Sequence, residues 1–119
     1  MPSIDRFEPQ TTVHPWITEV LVAHTAEYIG KVLYYRPGQL PALQYHEHKD
    51  ETFYLVSGEC WVDYDAGDGK LSRLRMLPGQ AYHVPPGAVH RVEAITDCVM
   101  FEASNPVFDD RVRVEDRYE

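Results

Sequence analysis

The stretch PGQLPALQYHEHKDETFYLVSGE, residues 37–59, decides how this chain is read. Within it Gln44, His46, His48 and Glu51 fall inside eight residues, and each side chain can donate an electron pair to a metal ion. In an extended strand successive side chains point to opposite faces. Gln44, His46 and His48 would therefore line one face if the strand continues that far. Glu51 shares parity with Phe53 and Leu55 on the next strand, and Lys49–Asp50 would form the bend between the two. Parity alone leaves open which of the four share a site.

Outward from this stretch the chain is a series of short β-branched and aromatic segments punctuated by Gly, Pro and Asp. The segments 17–24, 30–38, 43–48, 51–58, 60–65, 71–77, 80–85, 90–95 and 98–104 read as about nine strands, and none reads as a helix. AGDGK at 66–70 predicts a hairpin loop, LPGQ at 77–80 a turn, and Pro85, Pro86 and Gly87 a stiff turn before His90. Strands at such even spacing favour an all-β sandwich or barrel. One domain is expected over residues 1–119, with a core at 17–104, a polar N-terminal arm at 1–16 and a polar tail at 105–119. The arms are expected to pack on the barrel or on a second subunit.

A chain of 119 residues with 44% hydrophobic content can build one core. Its net charge of −8 argues against nucleic acid and anionic membranes as partners. No apolar run reaches a membrane span, and the first residues lack the pattern of a signal peptide, so a cytoplasmic location is expected. Cys60 and Cys98 then read as small core residues rather than a disulfide. Trp61, Tyr54, Tyr82 and Phe101 read as barrel core, and His14 and His24 as solvent-exposed. Arg111, Arg113 and Arg117 alternate with acids in the tail and are expected to form surface ion pairs, with gripping a substrate phosphate as the alternative.

Two glycine-punctuated patterns carry a resemblance. GQAYHVPPGAVH places Gly79, Pro85, Gly87 and His90 at the intervals of the second motif of the cupins, with Ala94 where that family has Asn. The first cupin motif, whose usual ligands are two His and a Glu, is met in every interval by Gly38, Gln44, His46, Glu51 and Gly58, with Gln44 in place of the first His. Taking His46 and His48 as the pair would break two intervals. The chain also resembles short single-domain cupins described as phosphomannose-isomerase-like, through Pro15–Trp16, the GKV at 30–32, QYHEHKDETFYLVSG, PPGAVHRVEA and the ending DDRVRVEDRYE.

The resemblance implies a cupin-type antiparallel β-barrel, a double-stranded β-helix or jelly roll. It implies one divalent metal ion, Zn, Mn, Fe, Ni or Co, held by Gln44, His46, Glu51 and His90, with His48 as the alternative to Gln44. It also implies a small-molecule substrate and an isomerase or epimerase acting on a sugar or sugar phosphate. The candidate acid or base is His83, Glu102 or the non-ligating His48, with Glu102 expected to face outward rather than into the barrel. An Fe(II)-dependent dioxygenase and a non-catalytic binding barrel are the alternatives. A homodimer is expected, because exposed strand edges invite a second subunit.

Overall fold

The computed structural model describes residues 1–114. Among them eleven strands form and no helix: β1 (Gln10–Val13), β2 (Ile17–His24), β3 (Ile29–Tyr35), β4 (Gln44–His46), β5 (Glu51–Ser57), β6 (Cys60–Asp65), β7 (Leu71–Met76), β8 (Ala81–Val84), β9 (His90–Ala94), β10 (Cys98–Ser104) and β11 (Arg111–Arg113). They make two antiparallel sheets, β1-β2-β3-β10-β5-β8 and β11-β4-β9-β6-β7. The sheets face each other as a jelly roll and are not joined to each other by hydrogen bonds.

Nine of these strands occupy the segments expected from the sequence, and the other two come from the polar ends. β1 pairs with β2 and β11 with β4, so both arms pack on the barrel. Arg117 lies outside the described residues. The strand expected over 43–48 is also shorter, ending at His46. The reason is local: Asp110 Oδ2 accepts the backbone N–H groups of His48 and Lys49 at 2.6 and 3.0 Å, and Asn105 Oδ1 accepts that of Asp50 at 3.0 Å. Side-chain acceptors thus take the amides that a longer β4 would have used in its ladder.

Alternation sorts the barrel's interior. Glu51, Phe53 and Leu55 of β5 point inward, as do Cys98, Met100, Glu102 and Ser104 of β10 and His90, Val92 and Ala94 of β9. The cross-strand register keeps like with like, Leu55 opposite Met100 and Phe53 opposite Glu102 on one side, Cys60 opposite Ala94 on the other. One end is therefore closed by Leu33, Leu55, Cys60, Met76, Cys98 and Met100. The other end, where Glu51, Glu102 and His90 sit, is a polar mouth. Both cysteines are free, buried thiols of that core. Tyr54 and Phe101 are not core: they oppose each other on the outer face of β5 and β10 and are exposed.

Gly58 explains how β5 can turn directly into β6. Its φ is +88°, and a Cβ there would lie 2.2 Å from the Asp97 carbonyl oxygen. Only glycine fits both the left-handed conformation and the close approach.

Candidate metal centre

Three ligand atoms converge in the mouth. His46 closes β4, Glu51 opens β5 and His90 opens β9, all three buried. His46 Nε2 is 3.8 Å and His90 Nε2 3.5 Å from Glu51 Oε1, and the three donors lie within 4.8 Å of one another. Bonds of about 2.1 Å to one ion put neighbouring ligands roughly 3–4 Å apart. The residues present fit a divalent ion with open positions, and imidazole with carboxylate suits Zn, Mn, Fe, Ni or Co alike.

Both imidazoles are oriented for this task. His90 Nδ1 lies 2.9 Å from the Ala88 carbonyl oxygen and His46 Nδ1 lies 2.9 Å from Asp110 Oδ1. A ring nitrogen that donates to such an acceptor leaves Nε2 with its lone pair toward the cavity. Burial lowers the His46 pKa below the ordinary imidazole value, against the opposing pull of Glu51 and Asp110, which favours the neutral, ligating form. Glu51 is held ionised well below the usual carboxylate range. Burial works the other way, but the polar contact with the His90 ring and the charge of Lys49 outweigh it. Its second oxygen, Oε2, is buried without a hydrogen-bond partner; Lys49 Nζ lies 3.1 Å away as an ionic contact rather than a directed bond.

Lys49 is the least expected member of the site. The residue read as part of a bend is 5% exposed, and its ammonium donates to Glu102 Oε2 at 2.9 Å. Burial would discharge Lys49, yet Glu102 and Glu51 raise its pKa above the ordinary lysine value, so it stays cationic. Glu102 itself is 9% exposed, and its carboxyl is pushed up to about 7 by burial and by the Glu51 charge, with Lys49 opposing. Two carboxylates that share a buried space disfavour each other's ionisation, and Glu102 is the one whose protonated form gains.

The cavity measures about 590 Å³, within the range of small-molecule sites. Gln44 lines it, opposite His90 across the β4–β9 pair. Glu102, expected to face outward, lines it too. His48 and His83 do not. His48 is exposed beyond the end of β4. His83 lies on the outer face of β8, opposite exposed Thr52, with its side chain 59% exposed and its ring nitrogen 2.5 Å from Asp50 Oδ1. Of the expected surface pairs, Arg111 meets Asp109 at 3.4 Å, but Arg113 meets no carboxylate among the described residues, and both arginines line the cavity. His14 is exposed at its rim, 3.9 Å from Glu19. Sequence reasoning missed Asp110 and Lys49. A carboxylate 64 residues from the histidine it contacts gives no local signal, and a Lys-Asp dipeptide reads as a solvated turn.

Comparison with known proteins agrees with this architecture. Residues 31–103 match the profile of the cupin domain, and the chain belongs to the cupin family. Among solved structures, KdgF from Halomonas sp. is similar over 87% of this chain and 92% of its own, with 26% identity and a TM-score of 0.72. The capsular polysaccharide assembling protein CapF from Staphylococcus aureus superposes with a TM-score of 0.80 at 21% identity, covering 92% of this chain and 32% of its own. An oxalate decarboxylase, OxdC of Bacillus subtilis, gives a TM-score of 0.72 at 19% identity, covering 88% of this chain and 30% of its own. At that identity the last two show the fold alone. No curated protein matches significantly in sequence.

Proposed function

We propose that this cupin is a metal-dependent isomerase or epimerase of a small sugar-type substrate, of the phosphomannose-isomerase-like kind, with Gln44 joining His46, Glu51 and His90 around one divalent ion. The observation that carries the reading is Glu102: a buried carboxyl that titrates near neutrality, in the same cavity as three convergent ligands. A general base works best when its pKa lies near the working pH.

A bound divalent ion would supply Lewis-acid polarisation of a carbonyl and its neighbouring hydroxyl. The chain's own residues supply the rest. Ionised Glu102 removes the proton from the carbon beside the carbonyl and, now protonated, returns it to the adjacent carbon on the same face, while the hydroxyl proton passes to the former carbonyl oxygen. Lys49 holds Glu102 Oε2 and so fixes the carboxylate's orientation. Tyr35, whose phenol is held protonated far above its ordinary range by burial and by the acidic neighbours Glu102 and Glu51, lines the same cavity as a neutral hydrogen-bond donor.

Solvent exchange tests this directly. The metal-loaded protein is incubated in D2O with a panel of aldoses, ketoses and their phosphates, and deuterium at carbon is read by mass spectrometry. Incorporation that Glu102→Gln abolishes supports the reading; a panel with no incorporation at any metal sinks it. Two histidines and one carboxylate are also the donor set of non-haem iron oxygenases, so O2 uptake by the iron-loaded protein is the discriminating control. A purely binding barrel would retain ligand and turn over nothing. The protein in this reading is a cytoplasmic homodimer that pairs through the exposed edge of β1, which sedimentation velocity would show as a single species of twice the chain mass.

A further inference from the structure

β11 is three residues long, and what anchors it decides what it offers to the cavity. Val112 opposes Tyr45, and Val114 is buried against Leu43 and Val89 on the side of the sheet away from the mouth. Opposed residues, and residues two apart, share a face of a sheet. The same anchoring therefore turns Arg111 and Arg113 to the cavity face. Arg111 opposes His46; Arg113 opposes Gln44, which in turn opposes His90. The row Arg113, Gln44, His90 crosses three strands, so the backbones of Arg113 and His90 are two strand spacings apart, roughly 10 Å.

The other cations around the cavity are engaged. Lys31 lies 3.8 Å from Glu19, Lys49 sits between Glu51 and Glu102, Arg91 donates to Asp63 at 2.7 Å, and Arg111 reaches Asp109 at 3.4 Å. Arg113 has no carboxylate partner among the described residues, in a chain whose net charge is −8. Among the described residues Arg113 is thus a planar, forked donor beside the candidate metal ligands with no carboxylate to bind.

We infer that Arg113, seconded by Arg111, forms an oxyanion subsite that grips the terminal carboxylate or phosphate of a small sugar-type substrate whose other end reaches the His46, Glu51 and His90 centre. The inference rests on the proposed function for that second end only; the anion site stands on the placement of β11. It names the substrate class as anionic, a sugar acid or a sugar phosphate rather than a neutral sugar.

Isothermal titration of the full chain at low salt, metal-free and zinc-loaded, with D-glucuronate, D-glucose 6-phosphate and neutral D-glucose tests it. At least one anionic probe is expected to bind and glucose not to. Arg113→Ala should weaken the anionic probe about tenfold or more, Arg113→Lys by less, because a point charge replaces the fork. Neither substitution should change zinc stoichiometry, and Arg113 is exposed, so folding is not at risk. Binding of glucuronate alone assigns a carboxylate, and of glucose 6-phosphate alone a phosphate. Equal binding of glucose, an unchanged Arg113→Ala variant, or no anionic binding at millimolar concentration overturns the inference. One equivalent of zinc without anion selectivity removes the subsite and leaves the metal centre; Arg113-dependent anion binding without zinc removes the metal centre and leaves the subsite.

Discussion

His46 Nδ1 lies 2.9 Å from Asp110 Oδ1, and through that contact a residue of the C-terminal segment sets the direction in which a candidate metal ligand points. The same carboxylate accepts the backbone N–H groups of His48 and Lys49. Those amides hold the Asp110 pKa below the ordinary aspartate value despite the cost of burial, so it is ionised throughout the neutral range. Asp110 thus ends β4, shapes the bend that carries Lys49 inward and fixes the His46 tautomer. Asp110→Ala should lower metal affinity about 10- to 100-fold while leaving the other ligands in place. Competition with a chelating dye measures it. Asp110→Asn should retain much of the bend and lose most of the effect on the imidazole; equal affinities for wild type and both variants would show that the contact does not orient His46.

Glu102 gives the metal-free protein a distinctive pH dependence. Its folded pKa of about 7 lies above that of an unfolded glutamate. The folded state therefore binds more protons between about pH 4.5 and 7, and stability from this group is present below the unfolded pKa and is lost as pH rises through the folded one. Glu102→Gln removes that slope. Chemical denaturation should show wild type losing on the order of 2 kcal/mol relative to the variant between pH 5 and 7.5. Parallel pH curves for the two proteins would place that proton elsewhere.

How much of this was legible in the sequence follows from the range of the forces involved. His46, Glu51 and His90 could be read because glycine and proline spacing and strand parity are local, and the barrel converts that spacing directly into convergence. Glu102 could be named as a candidate acid but not oriented, since its inward turn depends on the register of β10 against β5, where a bulge falls between Val99 and Met100. His83 shows the same limit from the other side: the parity of β8 sends Tyr82 and Val84 inward and His83 out. The placements of Asp110, Lys49 and Arg113 are set by tertiary pairing across tens of residues, and composition favoured surface ion pairs over a substrate-gripping role for the tail arginines.

The β5–β6 turn offers a test of backbone constraint against space. Gly58 and Gly67 both have positive φ, +88° and +103°, but only at Gly58 would a Cβ collide with backbone. Gly67→Ala should cost about 1 kcal/mol for conformation alone, and Gly58→Ala about 3 kcal/mol or more because Asp97 must also move. Urea midpoints of the two variants compare them on one scale. Similar losses would mean that the turn shifts to make room.

In the proposed metal centre, a fourth position would separate Gln44 from His48. Gln44 lines the cavity opposite His90, whereas His48 is exposed past the end of β4. An amide oxygen is a weaker donor to zinc than an imidazole nitrogen and suits harder ions. Gln44→Ala is therefore expected to weaken zinc binding by about tenfold, and Gln44→His to strengthen it beyond wild type by a similar factor, while His48→Ala leaves it unchanged. His46→Ala or His90→Ala, which removes one of the three convergent donors, should abolish stoichiometric binding. Elemental mass spectrometry after equilibration with zinc, with chelator competition for the affinities, reads all five variants. Loss of metal in His48→Ala together with an unaffected Gln44→Ala would overturn the assignment, because it would require the bend after β4 to fold inward and the Asp110 contacts with His48 and Lys49 to break.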